Sequence, residues 1–153
     1  MRKTAMLLSL SLLAACGGAE DDTMPAGGEA RADAPAARTA VADFAGTWNT
    51  TVVLEGTADP VPAVLNSSPD GSAWTMNLQG RDPIPVTASM SGDSLVTVSD
   101  PYPSILRDGV TVTVRTAGVL RDGDLVGKVV ATYRTADGDE VVPGTIRGTR
   151  GGS

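Results

Sequence analysis

The sequence predicts an all-β protein, a single antiparallel up-and-down meander of about eight strands that closes, or nearly closes, into a barrel. Three observations predict it. Short runs rich in β-branched residues recur after residue 44, at the spacing of about 8–12 residues that is typical of β-sandwiches and barrels. Asp-Gly and Gly-Asp pairs lie between several of these runs, and they are strong signals for tight hairpin turns. Within the runs apolar and polar residues alternate, as in a sheet with one face in the core and one in water.

The expected strands follow one another closely along the chain. They are residues 47–55, 61–67, 72–79, 84–90, 94–100, 109–120, 124–135 and 140–150. Nearly every junction between them is short, so consecutive strands are expected to pair antiparallel. The exception is residues 100–109, DPYPSILRDG, which are long enough to form a flap or a crossing connection. Residues 44–150 form the expected domain and residues 151–153 a short tail.

Alternation indicates which side chains face the interior. The residues predicted to face the interior are listed here strand by strand: Trp48, Thr50, Val52 and Leu54; Trp74, Met76 and Leu78; Ile84, Val86, Ala88 and Met90; Val110, Val112 and Val114; and Leu125, Val129, Ala131 and Tyr133. Closing such a meander into a barrel removes its exposed edges.

The N-terminus predicts export and lipid attachment. Arg2 and Lys3 precede an apolar stretch, residues 5–15, which is shorter than the ~20 residues that span a bilayer. This arrangement is typical of a secretory signal peptide, residues 1–15. Leu13-Ala14-Ala15-Cys16 resembles the lipobox of bacterial lipoproteins. The resemblance implies a diacylglyceryl group on the sulfur of Cys16, cleavage before it and acylation of the new amine; the alternative is an ordinary secretory signal with a chance cysteine.

The lipoprotein resemblance also implies a location, the bacterial cell envelope. Gly17 follows the cysteine in place of the aspartate that retains enterobacterial lipoproteins in the inner membrane, which favours the outer membrane in a host with two membranes. Residues 16–43 are rich in Ala, Gly, Pro and charge, a composition that predicts a flexible linker. As a coil of ~26 residues, it would hold the domain on the order of 25–30 Å from the bilayer.

Composition excludes several classes of function. Residues 1–15 carry two of the 12 basic residues and none of the 18 acidic ones, so their removal changes the net charge from −6 to −8. An acidic protein of this kind is not expected to bind nucleic acid or anionic membrane lipid electrostatically. Anchoring is therefore expected to depend on the lipid attached to Cys16 alone. Histidine is absent and Cys16 is the only cysteine. We therefore expect no enzyme, no cofactor and no metal site.

Acidic pairs in two turns, at 122–124 and 137–139, admit a second interpretation as calcium ligands. No EF-hand spacing with its terminal Glu accompanies them. Asp-Gly pairs also supply the positive φ and side-chain hydrogen bonds that tight turns need, so the turn interpretation is preferred.

Gly46-Thr47-Trp48 opens the first strand, and Arg150 ends the last one. Together with the meander, these residues resemble the calycin group of lipocalins and avidins. The resemblance implies that Gly46 starts the strand sharply, that Trp48 plugs one barrel end and that Arg150, or else Arg147, lies across the indole. The chain also resembles small Gly-Thr-Trp β-modules of bacterial secreted and lipid-anchored proteins, a group that brings no assigned activity.

Two functions remain open. The first is a binding module for a small apolar or amphipathic ligand in the barrel, or for a partner protein of the envelope. Its candidate ligand contacts are Trp74, Met76, Tyr102 and Arg115. Tyr102 and Ile105 would either gate the barrel mouth or cover an open end of the core. The second is a structural or interaction domain with a filled interior, and a hydrolase is the least supported class. A lined cavity of roughly 300 Å³ or more favours the first function and a packed interior the second.

Overall fold

A computed structural model of the protein describes residues 39–152. The barrel strands are formed by runs that alternate in burial along most of their length. They are β1 (Thr47–Leu54), β2 (Val61–Ser67), β3 (Trp74–Asn77), β4 (Ile84–Ser91), β5 (Ser94–Ser99), β6 (Tyr102–Pro103), β7 (Thr111–Arg121), β8 (Asp124–Thr135) and β9 (Gly138–Arg150). Each predicted run coincides with one of these strands to within two residues at either end, and β6 lies in the segment expected as a flap or crossing.

The strands close into an eight-stranded antiparallel up-and-down barrel, which confirms the predicted fold class. Apart from β5 and β6, strands that follow one another in sequence are paired, and β1 also pairs with β9. The circle closes where β5 pairs with β7. Closure pairs every barrel strand on both sides over at least part of its length, which removes much of the edge that could pair with a second chain.

The strands β5 and β6 are one barrel strand that is interrupted at Pro101. Val98 is opposite Arg115 and Tyr102 is opposite Val112, so four steps along this strand match three along β7. One extra residue is therefore accommodated as a bulge. Proline has no N–H to donate to the neighbouring strand. Beside the bulge, the N–H of Val114 donates to the hydroxyl of Ser99 at 2.9 Å, in place of the backbone carbonyl that would accept it in a regular ladder.

The barrel begins before the boundary expected for the linker. Val41–Phe44 form a 3-10 helix, and Val41 packs against the hydrophobic core. The linker prediction, which extended to residue 43, is therefore wrong over its last residues. The signal peptide 1–15, Cys16 and the linker up to residue 38 lie outside the described residues. Between residues 39 and 152, no helix has the length and apolarity needed to cross a membrane.

The interior contains two clusters of apolar side chains, one toward each end of the barrel. The larger surrounds Phe44, Trp48 and Trp74, and the smaller contains Leu54, Val112, Val129, Ala131 and Tyr133. Among the polar groups between them, Thr97 bonds Thr116 and Thr50 donates to a backbone carbonyl. Because these hydroxyls have partners, their burial carries no large desolvation penalty.

Candidate functional site

One end of the barrel, here named the plugged end, is closed by Trp48. Its indole is fully buried and donates from Nε1 to the carbonyl of Phe44 at 2.7 Å. The guanidinium of Arg150 lies over the indole, with Cζ 4.4 Å from the ring centroid. It also donates to the carbonyls of Ala45 and Asp43 at 2.7 and 2.8 Å. Arg150 thus ties the chain entering the barrel to the end of the last strand.

Two glycines allow these close contacts. Gly46 has a φ of +119°, and a Cβ there would lie 3.3 Å from Nη1 of Arg150. Gly71 has a φ of +71°, and its Cβ would lie 3.2 Å from Val41. Both backbones adopt a conformation that side chains disfavour, and both leave space that a neighbouring group occupies. The plugged end is therefore held by several contacts that reinforce one another.

The opposite end, here named the lid end, is covered by the segment Ser104–Gly109, which we name the strap. The N–H of Ser104 donates to the carbonyl of Val110 at 2.8 Å and closes the strap at its base. The hydroxyl of Ser104 accepts the N–H groups of Leu106 and Arg107 at 3.1 and 3.0 Å. The strap is thus folded locally and carries no ladder hydrogen bond of its own to a neighbouring strand.

Arg107 connects the strap to the far wall of the barrel. Its Nη1 and Nη2 donate to the two carboxylate oxygens of Glu140 at 2.5 and 2.8 Å. The guanidinium also lies over the ring of Tyr133, 4.2 Å from its centroid. The hydrogen bonds from Arg107 hold the pKa of the Glu140 carboxyl below its usual value. The two side chains are 36 % and 51 % exposed, so solvent weakens the ion pair.

Tyr102 lies between the strap and the core. Burial, with a smaller contribution from Tyr133, raises the pKa of the Tyr102 hydroxyl to about 12. Burial also raises the pKa of Tyr133. Outside this pair, Arg81 donates to the carbonyl of Pro103 at 2.7 Å and fixes the backbone just before the strap. The lid end therefore combines neutral phenols inside with arginines at its rim.

An apolar cavity of about 40 Å³ lies beneath the strap, and a second of about 20 Å³ lies deeper in the barrel. Each has room for about one water molecule. The first is lined by Met76, Tyr102, Val112, Ala131 and other apolar side chains, and Ile105 and Leu106 of the strap cover it. The interior as it stands is filled, far below the size of a ligand pocket.

The candidate ligand contacts divide between different places. Met76 lines both cavities and Tyr102 lines the one beneath the strap, so the barrel brings these two side chains together. Trp74 is buried near the plugged end, where its Nε1 donates to the carbonyl of Gly71 at 2.9 Å. Arg115 is exposed on the outer wall. The interpretation of Arg115 as an interior ligand contact is therefore wrong, because it alternates with side chains that line the cavities.

Sequence reasoning missed the residues that hold the strap. Tyr133 was placed in the interior by its alternation with Ala131 and Val129, but its partner Arg107 was not recognised. Arg107 and Glu140 are 33 residues apart, and no local pattern connects a charge in a loop with one in a distant strand. The pairing exists because the consecutive antiparallel strands β7, β8 and β9 lie side by side, with Glu140 opposite Tyr133.

A wider groove of about 1030 Å³ crosses the outer faces of β1, β2 and β9. Its side chains include Thr51, Pro62 and Arg147, which are exposed to solvent. A ligand there would stay largely in water, whereas ligand sites bury most of their ligand. Residues 39–152 contain no group of three acidic, histidine or cysteine side chains placed to hold a metal ion. The lid end is therefore the better candidate.

No protein-family model matches this chain, and no curated protein matches it. The lid end is accordingly interpreted from its own geometry.

Proposed function

We propose that this chain is a non-catalytic binding module of the bacterial cell envelope, held at a membrane by lipid on Cys16, and that its lid end takes a small apolar or amphipathic ligand. The observation that carries the proposal is the apolar cavity directly beneath the strap. Ile105 and Leu106 cover this cavity while remaining 44 % and 41 % exposed. A cover that buries only about half of its apolar side chains is displaced more easily than a barrel strand.

The position of the site suits an anchored protein. The polypeptide enters the barrel at the plugged end, where Val41 packs against Gly71 and Arg150 bonds the carbonyl of Asp43. The lid end is therefore the end of the barrel opposite the point where the described chain, from residue 39, enters it. In the proposed arrangement, the ligand site is open to the surrounding compartment, in the outer membrane if the host has two membranes.

Native mass spectrometry of the lipoprotein purified from its own host tests the ligand. We expect a small molecule to remain bound to the wild-type protein. Ala131→Leu fills the cavity from β8, where Ala131 is buried, and should abolish this binding. Ala136→Leu, at an exposed turn position, adds the same side chain elsewhere and should retain it. An equal amount of bound molecule in both folded variants would contradict the proposal.

The lipid anchor is tested separately. Cys16→Ser removes the only thiol, the nucleophile that lipid attachment requires. We expect the variant to keep its signal peptide, to run at a larger size and to leave the detergent phase. Globomycin, which blocks lipoprotein signal cleavage, should have the same effect on size in the wild type. Unchanged size and partitioning in both experiments would disprove the anchor.

The filled interior favours a second candidate, a structural or interaction domain that binds no small molecule. Its supporting observation is that the cavities hold only about 40 and 20 Å³. In that case no variant and no preparation releases a small molecule, and a partner protein of the envelope becomes the expected binding partner. Substitution of Ile105 and Leu106 by Ser would then weaken partner binding without changing the barrel.

A further inference from the structure

The closed cavity is too small for an organic ligand, so binding requires that one of its walls move. The walls formed by β1, β2, β3, β6, β7 and β8 are held by strand pairing. The remaining wall is the strap, whose base bond joins Ser104 to Val110. Its other end contains Gly109, with a φ of +71°. The strap is therefore the movable wall.

We propose that Arg107, Glu140 and Tyr133 form a latch that keeps the strap closed, and that release of this latch admits a neutral apolar molecule to the cavity. This inference rests on the proposed function, since it places the ligand at the same lid end. Within residues 39–152, Arg107 makes the only side-chain hydrogen bonds from the strap to another strand. The other strap hydrogen bonds are internal to it or lie at its base, where Arg81 also donates to the carbonyl of Ser104 at 3.5 Å.

The lining determines the chemistry of the ligand. Among the residues that the structure describes, no charged side chain lines the cavity, whose walls are Val, Leu, Ala, Met and Ile with Ser104 and the two tyrosine rings. A charge placed there would lose its hydration without gaining a partner. The polar atoms available are the hydroxyls of Ser104, Tyr102 and Tyr133. The site therefore selects an uncharged apolar molecule, with at most a hydroxyl or carbonyl group to meet a phenol.

The latch is weak enough to open. Glu140 and Arg107 form an exposed ion pair, which contributes little to stability, and the contact of Arg107 with the ring of Tyr133 adds a similar amount. A ligand that needs the open state binds with an affinity reduced by the fraction of molecules that are open. Removing the latch raises that fraction, and the combined contacts correspond to an increase in apparent affinity of about tenfold.

The test uses the fluorescent molecule N-phenyl-1-naphthylamine, which is neutral and apolar, and the folded protein with its surface variants. Arg107→Met removes both contacts of the latch and should bind the probe about tenfold more tightly than wild type. Glu140→Gln removes only the ion pair and should bind it about two- to fivefold more tightly. Arg115→Met removes an exposed arginine of the outer wall and Asp139→Asn an exposed carboxylate next to Glu140. These two controls should leave the affinity unchanged.

Hydrogen exchange separates the latch from the ligand. The backbone amides at positions 106 and 107 donate to the Ser104 hydroxyl. In Arg107→Met these two amides should exchange faster, while the amides of β7 and β8 exchange as in the wild type. Unchanged strap exchange, or equal probe affinity in Arg107→Met and wild type, overturns the latch. Faster strap exchange with no probe binding in any variant overturns the proposed ligand site and leaves the second candidate function.

Discussion

Replacement of Gly46 by alanine tests how the plugged end is held. At φ +119° an alanine is strained by about 1–3 kcal/mol. Its Cβ would also lie 3.3 Å from Nη1 of Arg150, so the guanidinium must shift by a few tenths of an ångström, at the expense of its contact with the Trp48 ring, which is worth about 0.5–1 kcal/mol. We expect Gly46→Ala to lower the free energy of unfolding by about 1.5–4 kcal/mol.

Two further variants separate the backbone strain from the displaced arginine. Gly92→Ala also places alanine at positive φ, +60°, but its Cβ meets nothing within 4 Å, so we expect a loss of about 1 kcal/mol. Arg150→Met removes the guanidinium. The double variant Gly46→Ala with Arg150→Met should lose about 0.5–1 kcal/mol less than the sum of the two single changes.

Urea unfolding followed by tryptophan fluorescence measures these changes, since Trp48 and Trp74 are both buried. The midpoint should fall while the denaturant slope stays the same. A loss for Gly46→Ala no larger than that for Gly92→Ala would refute the reasoning, because it would show that Arg150 adapts to the extra carbon at no cost.

Two pH-dependent predictions follow from the remaining polar groups. Hydrogen bonds lower the pKa of Asp70 to about 2, chiefly the one from the Ser68 hydroxyl and then those from the N–H and hydroxyl of Ser72. The stabilisation that Asp70 contributes is therefore fully present above its ordinary pKa of 3.8 and is lost as the pH falls through 2. Carbon-detected NMR should show a higher pKa of Asp70 in Ser68→Ala, and an unchanged pKa would contradict the hydrogen bond. Burial raises the pKa of Tyr102 from 10.0 to about 12, so this hydroxyl leaves stability unchanged below pH 10 and lowers it between pH 10 and 12. This alkaline loss should shrink in Tyr102→Phe, as measured by urea unfolding across that range, and an equal loss in both proteins would argue against it.

The strands were predictable because their determinants are local. Gly92, Gly123 and Gly138 adopt positive φ in the turns of three hairpins, and the Asp-Gly and Gly-Asp pairs marked these turns in the sequence. Period-two alternation placed Met76 and Tyr133 in the interior, which the burial of both confirms. Local chemistry and side-chain parity are thus sufficient for most of a meander in which each strand pairs with its sequence neighbours.

The parts that were missed depend on contacts between distant residues. The strand β6 contains only two residues and follows Pro101, so its pairing with β7 depends on the bulge rather than on its own sequence. The helical turn at Val41 belongs to the barrel because Gly71 leaves room for its side chain. The latch pairs Arg107 with Glu140, across 33 residues. None of these contacts has a signature in the residues beside it.

The two barrel ends differ in how they are closed, and this difference indicates where substitutions should affect stability and where they should affect binding. At the plugged end Trp48 is fully buried, and Arg150 contacts the ring and two carbonyls at once. Opening that end would expose the largest side chains of the core, at a cost comparable to unfolding. At the lid end the strap is held by half-exposed apolar side chains and one partly exposed ion pair, which a ligand can displace. Variants of Gly46 or Arg150 should therefore lower stability, whereas variants of Arg107 or Glu140 should change ligand affinity and leave the unfolding midpoint nearly unaltered.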